Sequence, residues 1–132
     1  MEEYMDIAVA GLHLSGQPLN YQLVSLGGRL KKTCFTAPKY KMFLIKDEKG
    51  MKPGLVRLSN GQLGGQYELE VWELPVEHAG RFIAQIPAPL GIGTLMLENG
   101  ETVKGFICEP LVVQESEDIS LYPGWRAFIA AR

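Results

Sequence analysis

Residues 7–20 read IAVAGLHLSGQPLN, a stretch around which the rest of the chain is organised. The apolar run at residues 7–10 predicts a buried strand, and Gly11 and Gly16 bracket a loop that must turn before Pro18 opens a helix. A strand, a glycine-bounded loop and a helix in this order present backbone N–H groups to a small anion. The loop also carries His13, one of only two histidines in the chain.

Length and composition predict one domain spanning residues 1–132. The chain is 46% hydrophobic and 21% charged, which is typical of a globular protein rather than a disordered or fibrous one. The net charge of −2 argues against a nucleic-acid partner, which would require a basic surface. No apolar run reaches the roughly 18 residues that a membrane span needs, and residues 1–6 lack the basic and apolar parts of a signal peptide. We therefore expect no membrane partner and a cytoplasmic location.

The two cysteines do not indicate a metal centre. Cys34 and Cys108 each lie among strand-like neighbours, and in a reducing compartment we interpret them as buried thiols rather than as a disulfide. No second Cys or His lies at a spacing typical of metal ligands. We expect neither a metal nor an organic cofactor.

Most of the remaining pattern indicates strands separated by turns. Runs rich in apolar, β-branched and aromatic residues predict strands at residues 29–36, 40–45, 53–58, 66–74, 94–97 and 102–109. Pro38 is expected to bend the chain within a strand pair. The turn sequence Asn60-Gly61 is expected to join strands 53–58 and 66–74 as a hairpin.

Helices are predicted at residues 18–26 and 75–86, each with a proline near its start. Residues 87–93, PAPLGIG, are expected to form an irregular loop. The last apolar element is expected to pack Trp125 and Phe128 against the sheet. About six strands with two or three helices predict an α+β fold built as a small mixed β-barrel.

His13 is the strongest candidate for a reactive group, because the reference pKa of histidine lies near neutrality and the loop places it at a strand end. The alternative is a histidine that only fixes its loop by hydrogen bonding. His78 lies on a predicted helix beside charged residues and is interpreted as a surface residue.

Three further side chains are candidates for ligand contacts. Glu70 shares one strand face with Trp72, an arrangement expected to raise the pKa of its carboxyl group. Lys104 lies in an otherwise apolar strand and could pair with an anion, although a lysine at a sheet edge is the simpler interpretation. Tyr40 could point its hydroxyl toward the His13 end of the sheet or lie half-buried in the core.

Six ordered motifs together resemble the C-terminal domain of allophanate hydrolase, from about residue 7 to residue 128. They are GLHLSGQPLN at 11–20, TAPKY at 36–40, PGLV at 53–56, EVWELP at 70–75, IPAPLGIG at 86–93 and VKGFICE at 103–109. The resemblance implies a fold similar to that of the gamma-glutamyl cyclotransferases, in which the loop after the first strand holds the ligand. Those enzymes carry a catalytic glutamate where this chain has PAPL at 87–90, so cyclotransferase activity is not implied. The amidase domain of full-length allophanate hydrolase is absent from the sequence.

The resemblance implies a role in the second step of allophanate breakdown, the decarboxylation of N-carboxycarbamate. The histidine that matches His13 would supply the proton. Gly11, Leu12 and Leu14 would hold the substrate through the loop, and the remaining contacts would come from the candidates Gln17, Tyr40, Glu70 and Lys104. The expected ligand is a small anionic carboxylated amide. Two alternatives remain: a non-catalytic module for a separately encoded amidase subunit, with or without homodimer formation, and a cyclotransferase-like enzyme that uses Glu70 as its base.

Overall fold

A computed structural model describes residues 3–132 and shows a mixed α+β architecture. Eight strands and four short helices lie within the described residues. In chain order they are β1 (Tyr4–Val9), α1 (Tyr21–Val24), β2 (Arg29–Phe35), β3 (Tyr40–Asp47), β4 (Gly50–Arg57), β5 (Glu68–Pro75), α2 (Val76–Ala84), β6 (Leu90–Met96), β7 (Thr102–Cys108), α3 (Val112–Glu115), β8 (Glu117–Asp118) and α4 (Trp125–Ala130). None of the helices in this part of the chain is long and apolar enough to cross a membrane.

The strands form two sheets. The larger has the order β2-β5-β1-β7-β6, in which β1 runs antiparallel to β5 and parallel to β7. The smaller has the order β4-β3-β8. The predicted α+β class with a mixed sheet is confirmed, but within residues 3–132 the strands do not close into a barrel. The two edge strands, β2 and β6, are joined only just past their ends, by a single isolated bridge between Thr36 and Leu97, and not by a continuous ladder.

The predicted pairing of residues 53–58 with 66–74 is wrong. Strand β4 pairs with β3 along its whole length, from Tyr40 opposite Arg57 to Asp47 opposite Gly50. Strand β5 is already flanked on both sides, by β1 and by β2, so it has no free edge for β4. Pro38 does not bend a strand pair either, because β2 and β3 belong to different sheets.

The hairpin predicted at residues 94–97 and 102–109 is confirmed and is longer than expected. Strands β6 and β7 pair from Leu90 opposite Cys108 to Met96 opposite Thr102. The second half of the predicted irregular loop at 87–93 is therefore regular strand. Gly93 fits there because its missing side chain leaves room for Ile107, which crosses over it.

The core lies where β1 and β5 are covered by helices. Residues Ile7, Ala8 and Val9 of the central strand β1 are buried. Helix α2 confirms the helix predicted at 75–86. The helix predicted at 18–26 is shorter in the structure, because α1 has only four residues. Trp125 and Phe128 of α4 are buried in the core, as predicted, and their rings also stack on each other.

The two cysteines are free thiols, and both are half-buried rather than fully buried. Burial raises the pKa of the Cys108 thiol to about 11, so this group stays protonated at neutral pH.

Candidate functional site

The loop after β1 is held by consecutive turns. The N–H of Leu14 donates to the carbonyl of Gly11 (3.0 Å), and the N–H of Gln17 donates to the carbonyl of Leu14 (2.9 Å). The side-chain amide of Asn20 donates to the carbonyl of His13 at 2.8 Å. The N–H groups of Leu12 and His13 have no acceptor within the described residues.

A cavity of about 550 Å³ opens beside this loop, and His13 lies in its wall. The cavity is bounded by the His13 loop, the start of α1, the β3–β4 hairpin, the end of α2 and strands β6 and β7. Its lining residues include Ala10, Gly11, Leu12, His13, Gln22, Lys52, Pro53, Leu55, Gln85 and Phe106. The mixture of loop backbone, one imidazole and one buried lysine is suited to a small polar ligand.

Gly11 sets the distance between the loop and β4. A Cβ atom on this residue would lie 2.5 Å from Cγ of Pro53, well inside van der Waals contact. Only a residue without a side chain therefore lets the loop backbone lie directly against β4. This close approach brings the residue before Pro53, Lys52, to the same cavity as His13.

The imidazole of His13 is held by three side chains, those of Gln22, Phe82 and Phe106. Its Nε2 lies 2.7 Å from Oε1 of Gln22, and its ring contacts Phe82 and Phe106 at centroid distances of 5.2 and 5.0 Å. Only 8% of the residue is exposed. Burial lowers the pKa of His13, and the hydrogen bond with Gln22 opposes this shift only in part. The ring is therefore neutral at pH 7, with Nε2 donating to Gln22.

The structure brings together three of the eight site residues predicted from sequence. Gly11, Leu12 and His13 line the cavity, and the other five do not. Leu14 is fully buried in the core, and the N–H of Gln17 is used within the loop. The other three, Tyr40, Glu70 and Lys104, are engaged elsewhere.

Tyr40 and Lys104 have structural partners outside the cavity. Tyr40 is fully buried, and its hydroxyl oxygen accepts a hydrogen bond from the N–H of Met96 at 3.0 Å. Lys104 is exposed, and its ammonium donates to Oγ1 of Thr94 at 3.0 Å on the paired strand β6. Strand register explains the contact between Lys104 and Thr94, because the two residues are directly opposite each other in the β6–β7 ladder.

Glu70 anchors the loop instead of facing the cavity. Its Oε1 accepts from the N–H and the hydroxyl of Ser15, at 2.8 and 3.0 Å, and from Nε1 of Trp72 at 3.1 Å. Its Oε2 lies 2.9 Å from a guanidinium nitrogen of Arg126. Burial acts to raise the pKa of Glu70, but these donors outweigh it, and the pKa lies below its ordinary value. The expected rise is therefore wrong, and a carboxylate so fully engaged is not suited to act as a base.

Two cavity residues were missed from the sequence, Gln22 and Lys52. Gln22 lies on the one-turn helix α1, nine positions after His13, where no local pattern connects the two. Lys52 lies just before the residue at which the predicted strand began. A residue that precedes proline is restricted to extended backbone, so the strand could have been extended to include it.

The sequence matches the family of allophanate hydrolase C-terminal domains over residues 5–130. The urea amidolyase of Saccharomyces cerevisiae is 42% identical over 125 residues, which cover 92% of this chain and 7% of that protein. The crystal structure of Kluyveromyces lactis allophanate hydrolase superposes with a TM-score of 0.92 at 39% identity, over 98% of this chain and 21% of the other. The chain thus spans only a small part of these longer relatives.

A third similar structure has nearly the same length. A uropathogenic E. coli-specific protein superposes with a TM-score of 0.87 at 26% identity, and the match covers 97% of both chains. More distant solved structures share the fold alone and confirm the gamma-glutamyl cyclotransferase-like class predicted from sequence. With a family match over nearly all of its length and relatives at about 40% identity, the chain belongs to the family of allophanate hydrolase C-terminal domains.

Proposed function

We propose that this domain decarboxylates N-carboxycarbamate, or a similar small carboxylated amide, in urea and allophanate breakdown. The observation that carries the proposal is the placement of His13 in the wall of the cavity, beside two backbone N–H groups that have no acceptor within residues 3–132. Family membership supports the pathway, because the similar proteins include a urea amidolyase and an allophanate hydrolase.

The proposed step needs one proton. The bond between nitrogen and one carboxylate carbon breaks, CO2 leaves, and the nitrogen keeps the bonding electron pair and takes the proton. His13 is neutral before the ligand binds, because burial lowers its pKa. A bound dianion favours the charged imidazolium and raises that pKa, so the ring takes up a proton with the ligand and transfers it to nitrogen. The N–H groups of Leu12 and His13 hold a carboxylate oxygen during the transfer.

The test compares the two histidines of the chain. We expect His13→Ala to lower the rate of CO2 release about 100-fold or more when the substrate is generated by a separate amidase, as is typical for loss of a general acid. His78→Ala is the matched control, because His78 lies on α2 and does not line the cavity. The rate without the domain is subtracted, since such carbamates also lose CO2 unaided. A His13→Ala protein that keeps the wild-type rate would refute the proposal.

The second candidate function is a binding module for an amidase subunit, with or without homodimer formation. Two observations favour it: the similar region is a small part of longer proteins, and Leu111 and Val113 near α3 are about half exposed. Co-purification with an amidase, together with unchanged urea-dependent growth of a His13→Ala strain, would select this function over catalysis.

A cytoplasmic location completes the proposal. Cys34 and Cys108 are both free thiols, as is usual in a reducing compartment.

A further inference from the structure

We infer that Lys52 is the residue that binds a carboxylate of the ligand, and that Asp47 occupies its ammonium group until the ligand arrives. This inference rests on the proposed function, because it identifies the cationic contact that a dianionic substrate requires. It assigns to Lys52 the contact for which Lys104 was a candidate from the sequence.

Burial separates Lys52 from the other charged residues at the cavity. Four polar or charged residues in the described part of the chain are buried: His13, Thr36, Lys52 and Glu70. Thr36 and Glu70 are satisfied by hydrogen bonds inside the fold. His13 and Lys52 are the two that line the cavity. A lysine that is only 8% exposed is unusual unless its charge has a partner, and the cavity is where such a partner can enter.

The present partner of Lys52 lies at the surface. Its ammonium lies 3.1 Å from Oδ2 of Asp47, whose side chain is 42% exposed at the tip of the β3–β4 hairpin. The exposed side of this ion pair is screened by water, so a ligand carboxylate can compete with Asp47 for the ammonium. An ammonium also has three donors, so it can bind a ligand carboxylate while Asp47 keeps its hydrogen bond from the N–H of Lys49.

Of the charged residues in the β3–β4 hairpin, Lys52 is the one whose positive charge an anion in the cavity would contact. Asp47, Glu48, Lys49 and Lys52 all line the cavity, and their formal charges cancel. Lys49 is exposed, whereas Lys52 lies within the ladder opposite Ile45 and is fixed through Pro53 against Gly11. An anion that contacts the free N–H groups of Leu12 and His13 therefore meets Lys52 as the one desolvated positive charge among the described lining residues.

Binding of malonate, a stable small dicarboxylate, tests the inference through two variants with opposite effects. Lys52→Met keeps the length of the side chain and removes its charge, and we expect it to weaken malonate binding about 10- to 100-fold, as is typical for a lost charged hydrogen bond. Asp47→Asn keeps the acceptor for the N–H of Lys49 but no longer competes for the ammonium. We expect it to tighten malonate binding roughly two- to fivefold.

Two lysines serve as controls in the same calorimetric titrations. Lys41 pairs with Asp118 at 3.7 Å on the same sheet but does not line the cavity, and Lys104 is the candidate from sequence. We expect Lys41→Met and Lys104→Met to bind malonate as the wild type does. Circular dichroism and the melting temperature establish that each variant is folded, and Asp47→Asn provides a readout if Lys52→Met fails to fold.

The outcomes separate this inference from the proposed function. Unchanged malonate affinity in Lys52→Met, or weaker binding in Asp47→Asn, overturns the role of Lys52 whatever the rate of His13→Ala. Absence of saturable malonate binding to the wild type also overturns it. The decarboxylation rate of His13→Ala, measured on the substrate itself, decides the proposed function independently.

Discussion

At the scale of single residues, two buried groups differ in what sets their charge: burial keeps His13 neutral, whereas hydrogen-bond donors keep Glu70 ionised. Both were candidates from sequence, His13 because of its place in the loop and Glu70 because it shares a strand face with Trp72. The residue types could be read from the chain, but their partners could not. Glu70 is bound by Arg126, 56 positions away, and by Ser15, 55 positions away. No local pattern reports such contacts, so the sequence predicted the wrong direction for the pKa of Glu70.

The neutral state of His13 gives a prediction about pH. The pKa of His13 in the folded protein lies below the ordinary value of 6.5, because burial disfavours the charged ring. In the window below 6.5 the unfolded chain therefore binds more protons than the folded protein, and the free energy of unfolding falls as the pH is lowered. At pH 7 this penalty is absent. We expect the ring signals of His13 to titrate with a midpoint below 6.5 in an NMR titration.

The control for this prediction is His13→Asn, which has no group that titrates in the window. Its free energy of unfolding should depend less on pH than that of the wild type between the lowered pKa of His13 and 6.5. A midpoint for His13 at or above 6.5 in the free protein would show that burial does not control this ring.

At the scale of elements, the sequence located strands better than it paired them. Alternating and apolar patterns identified β3, β5 and β7, because these patterns are local. The Asn60-Gly61 turn is compatible with a hairpin, but the pairing depends on which edges are free in the whole sheet. Residues 90–93 were missed as strand because their glycines are typical of loops, whereas here Gly93 makes room for Ile107.

The contact between the first loop and β4 gives the second prediction. We expect Gly11→Ala to destabilise the protein by about 1–3 kcal/mol, because the new methyl group would overlap the ring of Pro53. Urea denaturation measures the change. In the double variant Gly11→Ala/Pro53→Ala the ring is gone, so part of the loss from Gly11→Ala should be recovered.

Gly80→Ala is the matched control for the same substitution. Gly80 is exposed in the middle of α2, and a Cβ there would have no atom within 4 Å. We expect this variant to be stabilised by about 0.5–1 kcal/mol, since alanine is the better helix former. If the two alanine variants had the same stability, the overlap at Gly11 would be of no consequence.

At the scale of the whole molecule, the last helix is fastened to the first loop. Arg126 of α4 donates to the carbonyl of Ser15 at 2.8 Å, to Glu70 at 2.9 Å and to Glu68 at 3.0 Å. One guanidinium group thus ties α4 and β5 to the loop that presents His13. The order of the family motifs made the overall fold predictable from sequence, whereas this link between residues 111 positions apart was not.

This fastening gives the last prediction. We expect Arg126→Met to destabilise the protein by about 2–4 kcal/mol, because the buried carboxylate of Glu70 loses its charged partner while the methionine keeps the length of the side chain. Because the pKa of Glu70 in the wild type lies below 4.5, its contribution is present above pH 4.5 and is lost as the pH falls below that value. In Arg126→Met, the free energy of unfolding should therefore fall much less on acidification than in the wild type. In the control Arg81→Met, at an exposed position on α2, it should fall as much as in the wild type. Urea denaturation at neutral and acidic pH measures both, and equal stability of the two variants at neutral pH would show that Arg126 does not hold the loop.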